Sequence, residues 1–136
     1  VRAIYAEETP EFINEFHEEG ANGFDACVKG TVDNIGTSKF FKVETEDGVL
    51  LGFFTTDHID GIDIMPSFHV RRIFRVPEYL QVFWNLIRDT FNNDFFTSVG
   101  TANYKALQHL LKNDFEVVNH LEYKGKDFAV LKTYHN

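Results

Sequence analysis

Hydrophobic and polar positions change period several times along the chain, and each change marks an element. Residues 1–6 read as a short strand. Thr9, Pro10 and Glu11 then form a helix start signal, Phe12, Ile13 and Phe16 recur on one face, and Gly20 stops the pattern. Residues 21–36 fit a short second helix through Phe24, Cys27 and Val28, or a loop through Gly30 and Gly36. Two apolar runs, 38–44 and 49–54, flank Glu46-Asp47-Gly48, which predicts a hairpin. A second turn at Asp60-Gly61 leads into the alternating Ile62-Asp63-Ile64-Met65. That third strand of the meander continues towards Val70, with Pro66 as a bulge or an end.

The strongest helical pattern opens at Pro77. Tyr79, Leu80, Val82, Phe83, Leu86, Ile87 and Phe91 recur at spacings of three, four and seven, and Asn92-Asn93 ends it. Residues 95–99 read as a short buried strand. Thr101 can then cap a helix with an apolar face of Leu107, Leu110 and Leu111. Two strands, 115–123 and 128–134, turn through residues 124–127. The predicted order is β-α-(α)-β-β-β-α-β-α-β-β, an α/β chain of 136 residues without repeats or linkers, and so a single domain over 1–136.

Composition narrows the class. Charged residues make up 25% and hydrophobic residues 43%, close to a globular average. Phe supplies 15 of the aromatic residues against 5 Tyr and 1 Trp, which points to packing. The single cysteine, Cys27, rules out an internal disulfide and a cysteine-based zinc site and suits a reducing compartment, so the expected location is cytoplasmic. No apolar run approaches the length of a membrane span, and the acidic start does not read as a signal peptide.

The net charge of −8 argues against non-specific nucleic-acid binding. Its distribution is uneven. Residues 1–60 hold 4 Lys and Arg against 13 Asp and Glu, whereas residues 61–136 hold 9 against 8. Arg71, Arg72 and Arg75 gather just before the strong helix.

The element order resembles the GNAT superfamily of acyl-CoA-dependent N-acetyltransferases over essentially the whole chain. The residues that carry the resemblance are Asp47-Gly48-Val49-Leu50-Leu51-Gly52-Phe53, Asn103-x-x-Ala106 followed by Asp114-Phe115, and the closing hairpin from Phe115 through Gly125 to Leu131. The C-terminal half is also similar to small GNAT-like proteins of tailed phages. The resemblance implies a mixed, mostly antiparallel sheet of about seven strands with helices on both faces. It also implies that the fourth and fifth strands splay, with acyl-CoA between them.

The resemblance assigns roles residue by residue. Backbone from Phe68 through His69 to Val70 would hold the pantetheine arm, Arg71, Arg72 and Arg75 would meet phosphate, and Asn103 would orient the cofactor arm. The donor would be acetyl-CoA, with no metal, and the acceptor a small or peptidic amine. The acidic residues Glu15, Glu18, Glu19, Asp25 and Asp33 would border the acceptor cleft and attract a cationic amine. His69 is the first candidate for general base, because imidazole titrates near neutrality, and Asp63 is the second.

The chain departs from the family pattern in the phosphate loop and at positions 110 and 114. Glu78 and Leu80 stand where the phosphate loop has glycines, and Pro77 lacks an N–H. Leu110 replaces the tyrosine that protonates the leaving thiolate, and Asp114 replaces a glycine. Tyr104 reads as a packing residue rather than a relocated acid. These departures keep a second reading open: a catalytically inactive GNAT-like protein serving a phage as a structural or host-interaction module. On either reading a homodimer or a phage or host protein is a candidate partner. Asp57-His58-x-Asp60-x-x-Asp63 carries four potential ligands but reads as a hairpin turn rather than a metal site.

Overall fold

In a computed structural model of the protein, residues 1–6, 39–123 and 125–134 are described. The helix expected from Thr9 to Gly20, the ambiguous stretch 21–36, the acidic residues within them and Cys27 lie outside these residues.

Among the described residues eight strands, β1 (Arg2–Ala6), β2 (Lys39–Glu44), β3 (Leu50–Ile59), β4 (Ile62–Ile64), β5 (Phe68–Val70), β6 (Phe96–Gly100), β7 (Phe115–Tyr123) and β8 (Lys126–Thr133), form one sheet. Its order is β1-β2-β3-β4-β6-β8-β7, with β5 also paired to β3. All the pairings are antiparallel except β4 with β6. Among the described residues two helices, α1 (Pro77–Phe91) and α2 (Tyr104–Lys112), follow the strands β5 and β6.

The expected third strand of the meander is two short strands on one partner. β4 pairs with β3 through Asp57–Ile64, His58–Asp63 and Ile59–Ile62, and β5 through Phe54–Phe68, Phe53–His69 and Gly52–Val70. The register shifts by one residue between these sets, across Met65-Pro66-Ser67. Pro66 therefore marks a bulge: it cannot donate to a ladder, and the chain resumes pairing beyond it. The Asp60-Gly61 turn has positive φ at both residues, 52° and 79°, the two-residue hairpin geometry that matches strand twist.

Phenylalanines fill the core, as their excess predicted. Phe41 stacks on Phe54 at 5.1 Å, and Phe54 meets the edge of Phe83 at 6.2 Å. α1 buries Phe83, Trp84, Ile87 and Phe91, while Val82, expected on its apolar face, is exposed. Trp84 takes the central place. Its ring contacts Phe68, Phe83, Phe115 and His109, joining β5, β7 and both helices. Large aromatics at such a junction bury the most apolar area per residue, which makes them costly to remove.

Candidate active site

β4 and β6 are parallel neighbours only where the rest of the fold brings them together. Their register pairs Ile64 with Phe96, and the Met65 N–H donates to the Phe96 carbonyl at 2.8 Å. One residue further, the Thr97 hydroxyl donates to the Met65 carbonyl at 2.8 Å, a side chain completing the last link between the strands. Thr97 is 3% exposed, so this bond is sheltered from water. Past Met65, the bulge carries β5 onto β3, while β6 continues with β8 from Phe96 to Gly100. The two strands separate, as the resemblance implied.

A buried hydroxyl pair holds the bulge. The Thr55 N–H donates to the Ser67 carbonyl at 2.9 Å, the Ser67 N–H donates to Thr55 Oγ1 at 3.0 Å, and the two hydroxyls lie 3.0 Å apart. Farther on, the Arg71 N–H donates to the Leu51 carbonyl at 2.9 Å. Ladder bonds in an antiparallel pair alternate, so residues 67 and 71 face β3 and the backbone polar groups of Phe68 and Val70 face the opening towards β6. That is the edge expected to receive a pantetheine arm. Gly52 permits the close approach: a Cβ there would overlap the His69 carbonyl oxygen and lie 3.2 Å from Val70 Cα.

The turn after β5 differs from a glycine loop. A 3₁₀ turn over Arg72–Phe74 uses up its own donors: Phe74 N–H bonds Arg71 O, Arg75 N–H bonds Arg72 O, and Val76 N–H bonds Phe74 O. Pro77, the first residue of α1, adds none. The amides of Phe74, Arg75 and Val76 are thus bonded within the turn, and anion binding here draws on arginine side chains. Arg75 donates from Nε to the Val70 carbonyl at 2.7 Å, which fixes its guanidinium against the end of β5. Arg72 and Arg75 are exposed and Arg71 is half-buried. The residues present therefore fit a CoA arm along β5, and fit its phosphates through charge rather than through a backbone nest.

The sequence-derived candidates separate into groups. Phe68, His69, Val70, Arg71, Arg72 and Arg75 run consecutively along β5 and the turn. Asn103 is the N-cap of α2, its side chain accepting from the Ala106 N–H at 3.4 Å, so it, rather than Thr101, opens the helix. Thr101 instead bonds the Asp127 carbonyl through both its N–H and its hydroxyl. Leu110 is completely buried, and Tyr104 is 66% exposed, which corrects its expected packing role. Asp114 has φ 64°, the left-handed conformation for which the family uses glycine.

The two base candidates do not meet. His69 is half-buried, its ring 6.4 Å from that of Phe53. Strand alternation puts this pair on the face opposite Phe54 and α1, whereas Asp63 shares a face with its ladder partner His58. Asp63 Oδ1 lies 2.6 Å from His58 Nδ1. Sequence reasoning named both residues within one motif without pairing them; the two-residue Asp60-Gly61 turn was the signal, since it sets 58 opposite 63.

A further pair was missed altogether. The Trp84 indole N–H donates to His109 Nε2 at 2.7 Å. Burial lowers the His109 pKa from its ordinary value, with the positive charges of Lys112 and Arg75 adding to the shift. The Arg75 contribution ties this pair to the same end of the sheet as the arginine turn.

Charge along this region changes sign sharply. Residues 43–70 contain six Asp and Glu and no Lys or Arg, and Arg71, Arg72 and Arg75 follow at once. Because β4 and β5 form one interrupted strand, its start is acidic and its end basic. Among the described residues no helix is long and apolar enough to cross a membrane, and no group of three or more His, Cys, Asp or Glu is placed to hold a metal ion.

No family model and no curated protein sequence matches the chain. Solved structures do. A variant of the spermidine N-acetyltransferase SpeG from Vibrio cholerae superposes with a TM-score of 0.68 at 14% identity, covering 98% of this chain and 94% of that one. A Bacillus subtilis acetyltransferase in complex with CoA gives 0.67 at 11% identity, with 97% of each chain covered. The Vibrio cholerae spermidine N-acetyltransferase in complex with CoA and spermine gives 0.64 at 14% identity, covering 96% and 94%. At these identities the likeness establishes architecture: the chain has the mixed α+β fold of the GNAT acetyltransferases.

Proposed function

We propose that the protein is an acyl-CoA-dependent N-acyltransferase that acetylates a small cationic amine by direct attack. The observation that carries this reading is the parting of β5 from β6 beyond the Thr97–Met65 link, with the backbone of Phe68 and Val70 turned into the opening. CoA-bound proteins share this fold, and one of them also holds spermine.

Acetyl-CoA would supply an activated thioester. The chain's own groups do the rest. Phe68 and Val70 offer strand backbone to the pantetheine arm, His69 between them turning its backbone to β3, and Arg71, Arg72 and Arg75 offer charge to the phosphates. Asn103, at the mouth of α2, orients the arm. A side chain beside the opening takes the amine's proton; the sequence names Asp63 and His69 as candidates. Leu110 cannot exchange a proton, so the departing thiolate takes its proton from solvent.

The test is release of free CoA thiol from acetyl-CoA across a panel of primary amines, including polyamines. The reading expects amine-dependent release. No release with any amine, from protein whose melting temperature acetyl-CoA raises, would favour a binding module that has kept the fold and lost the chemistry.

A further inference from the structure

The tip of the β3–β4 hairpin combines three features that the proposed reaction needs at its acceptor end. First, His58 and Asp63 form a hydrogen-bonded pair across the ladder, Nδ1 to Oδ1 at 2.6 Å. A carboxylate in that position accepts from Nδ1–H, which fixes the neutral tautomer with its free lone pair on Nε2. Second, the His58 side chain is 66% exposed while that of Asp63 is 21% exposed. The imidazole is therefore the accessible member and the carboxylate the sheltered one, the arrangement of a base and its orienting group.

Third, the pair sits beside the point where the strands part. Asp63 immediately precedes Ile64, the residue paired with Phe96, and the bulge begins at Met65. At the rise of a strand, His58 and Asp63 lie about 7 Å from the bulge, within reach of a side chain and a small substrate. Asp57 and Asp60 add negative charge on the same hairpin, Asp57 also accepting from the His58 N–H at 2.8 Å. A cationic amine is drawn to such a tip, and an anionic cofactor to the arginine end.

We propose that His58 is the general base for the acceptor amine, that Asp63 positions it, and that the acidic β3–β4 tip selects cationic amines; the proposal rests on the N-acyltransferase reading. The substrate ammonium gives its proton to His58 Nε2, which later passes it to water. The freed nitrogen lone pair forms the amide bond as the thioester C–S bond breaks; the new amide nitrogen then sheds its second proton to solvent, and the thiolate takes one proton from solvent. His69, beside the buried Phe53 on the opposite face, takes no part in this transfer.

The experiment compares thiol release by wild type, His58→Gln, His58→Ala and Asp63→Asn with acetyl-CoA and spermidine. His58→Gln is expected to lower kcat about a hundredfold or more with little change in the acetyl-CoA KM. Added imidazole should restore part of the rate in His58→Ala, an effect that loss of a merely structural side chain does not produce. Asp63→Asn should lower kcat while leaving the acetyl-CoA-induced rise in melting temperature intact. Wild-type turnover with unchanged kcat in His58→Gln overturns this proposal and leaves the N-acyltransferase reading standing. Absence of turnover in wild type overturns both.

Discussion

The indole of Trp84 and the imidazole of His109 are joined by a 2.7 Å hydrogen bond between the two helices of the sheet's aromatic junction. Indole N–H only donates, so His109 Nε2 must be unprotonated to accept it. Burial, then Lys112, then Arg75, lower the His109 pKa below 6.5 in the folded state. As pH falls, the unfolded chain therefore binds this proton before the folded chain does. The stability that His109 contributes is complete above about pH 6.5 and is lost as pH drops towards the folded pKa. Urea midpoints measured between about pH 7.5 and 5.5 should fall more steeply for wild type than for His109→Gln, whose amide oxygen can still accept and does not titrate. Equal slopes would show that the pair does not titrate with folding. His109→Leu, which strands a buried donor, should cost about 1–3 kcal/mol at neutral pH.

Thr97 ties the two parting strands at their last common point. Thr97→Val keeps the shape but leaves the buried Met65 carbonyl without its 2.8 Å donor, at a cost of about 1–3 kcal/mol. Thr97→Ser should recover most of that loss. Chemical denaturation of the three proteins measures it. Equal stability of the valine variant would mean the bond adds nothing to the junction.

Gly52 is required by its neighbour rather than by its own backbone angles. A Cβ would drive into the His69 carbonyl, so Gly52→Ala must displace β5 or strain β3, at about 1–3 kcal/mol or more. Displacing β5 also moves the edge assigned to the pantetheine arm. The variant should therefore lose affinity for acetyl-CoA along with stability, as titration calorimetry can show. Normal affinity would detach the β5 edge from binding.

Asp114 holds a left-handed conformation, φ 64°, with its carboxylate 4.0 Å from Arg88. That ion pair is exposed on the Asp side and contributes little, whereas glycine removes the conformational penalty. Asp114→Gly should raise stability by up to about 1 kcal/mol, read as a higher urea midpoint. A lower midpoint would show that the Arg88 contact outweighs the backbone term.

Much of the fold was legible because its signals are local. Asp60-Gly61 between Ile59 and Ile62 specifies a two-residue hairpin, and Pro66 announces the interruption of the third strand. Pro77 and the spacing of Phe83, Ile87 and Phe91 specify α1. What stayed hidden depends on distance along the chain. Trp84 and His109 are 25 residues apart, and nothing in either local pattern says that they touch. Trp84 fits the helical period of the buried face, four residues after Leu80 and three before Ile87, but its central place comes from β5, β7 and α2 converging on it. The arginine cluster was visible as charge. That the turn consumes its own amides was not, since the hydrogen bonds belong to a 3₁₀ geometry that Arg72-Ile73-Phe74 does not advertise. His58 did not stand out beside Asp63, because their pairing across the hairpin shows only once the strands are placed.

The central claim is that the opening between β5 and β6, closed at one end by Thr97 and bordered at the other by Arg75, takes acyl-CoA. Thermal melting with and without acetyl-CoA tests it most directly, because a ligand that binds only the folded state stabilises it by about 2.7 kcal/mol at a hundred times its dissociation constant. Millimolar acetyl-CoA should raise the melting temperature of wild type, and Arg75→Ala should remove most of that rise. An unchanged wild-type melting temperature would contradict the claim, and an undiminished rise in Arg75→Ala would place the cofactor elsewhere.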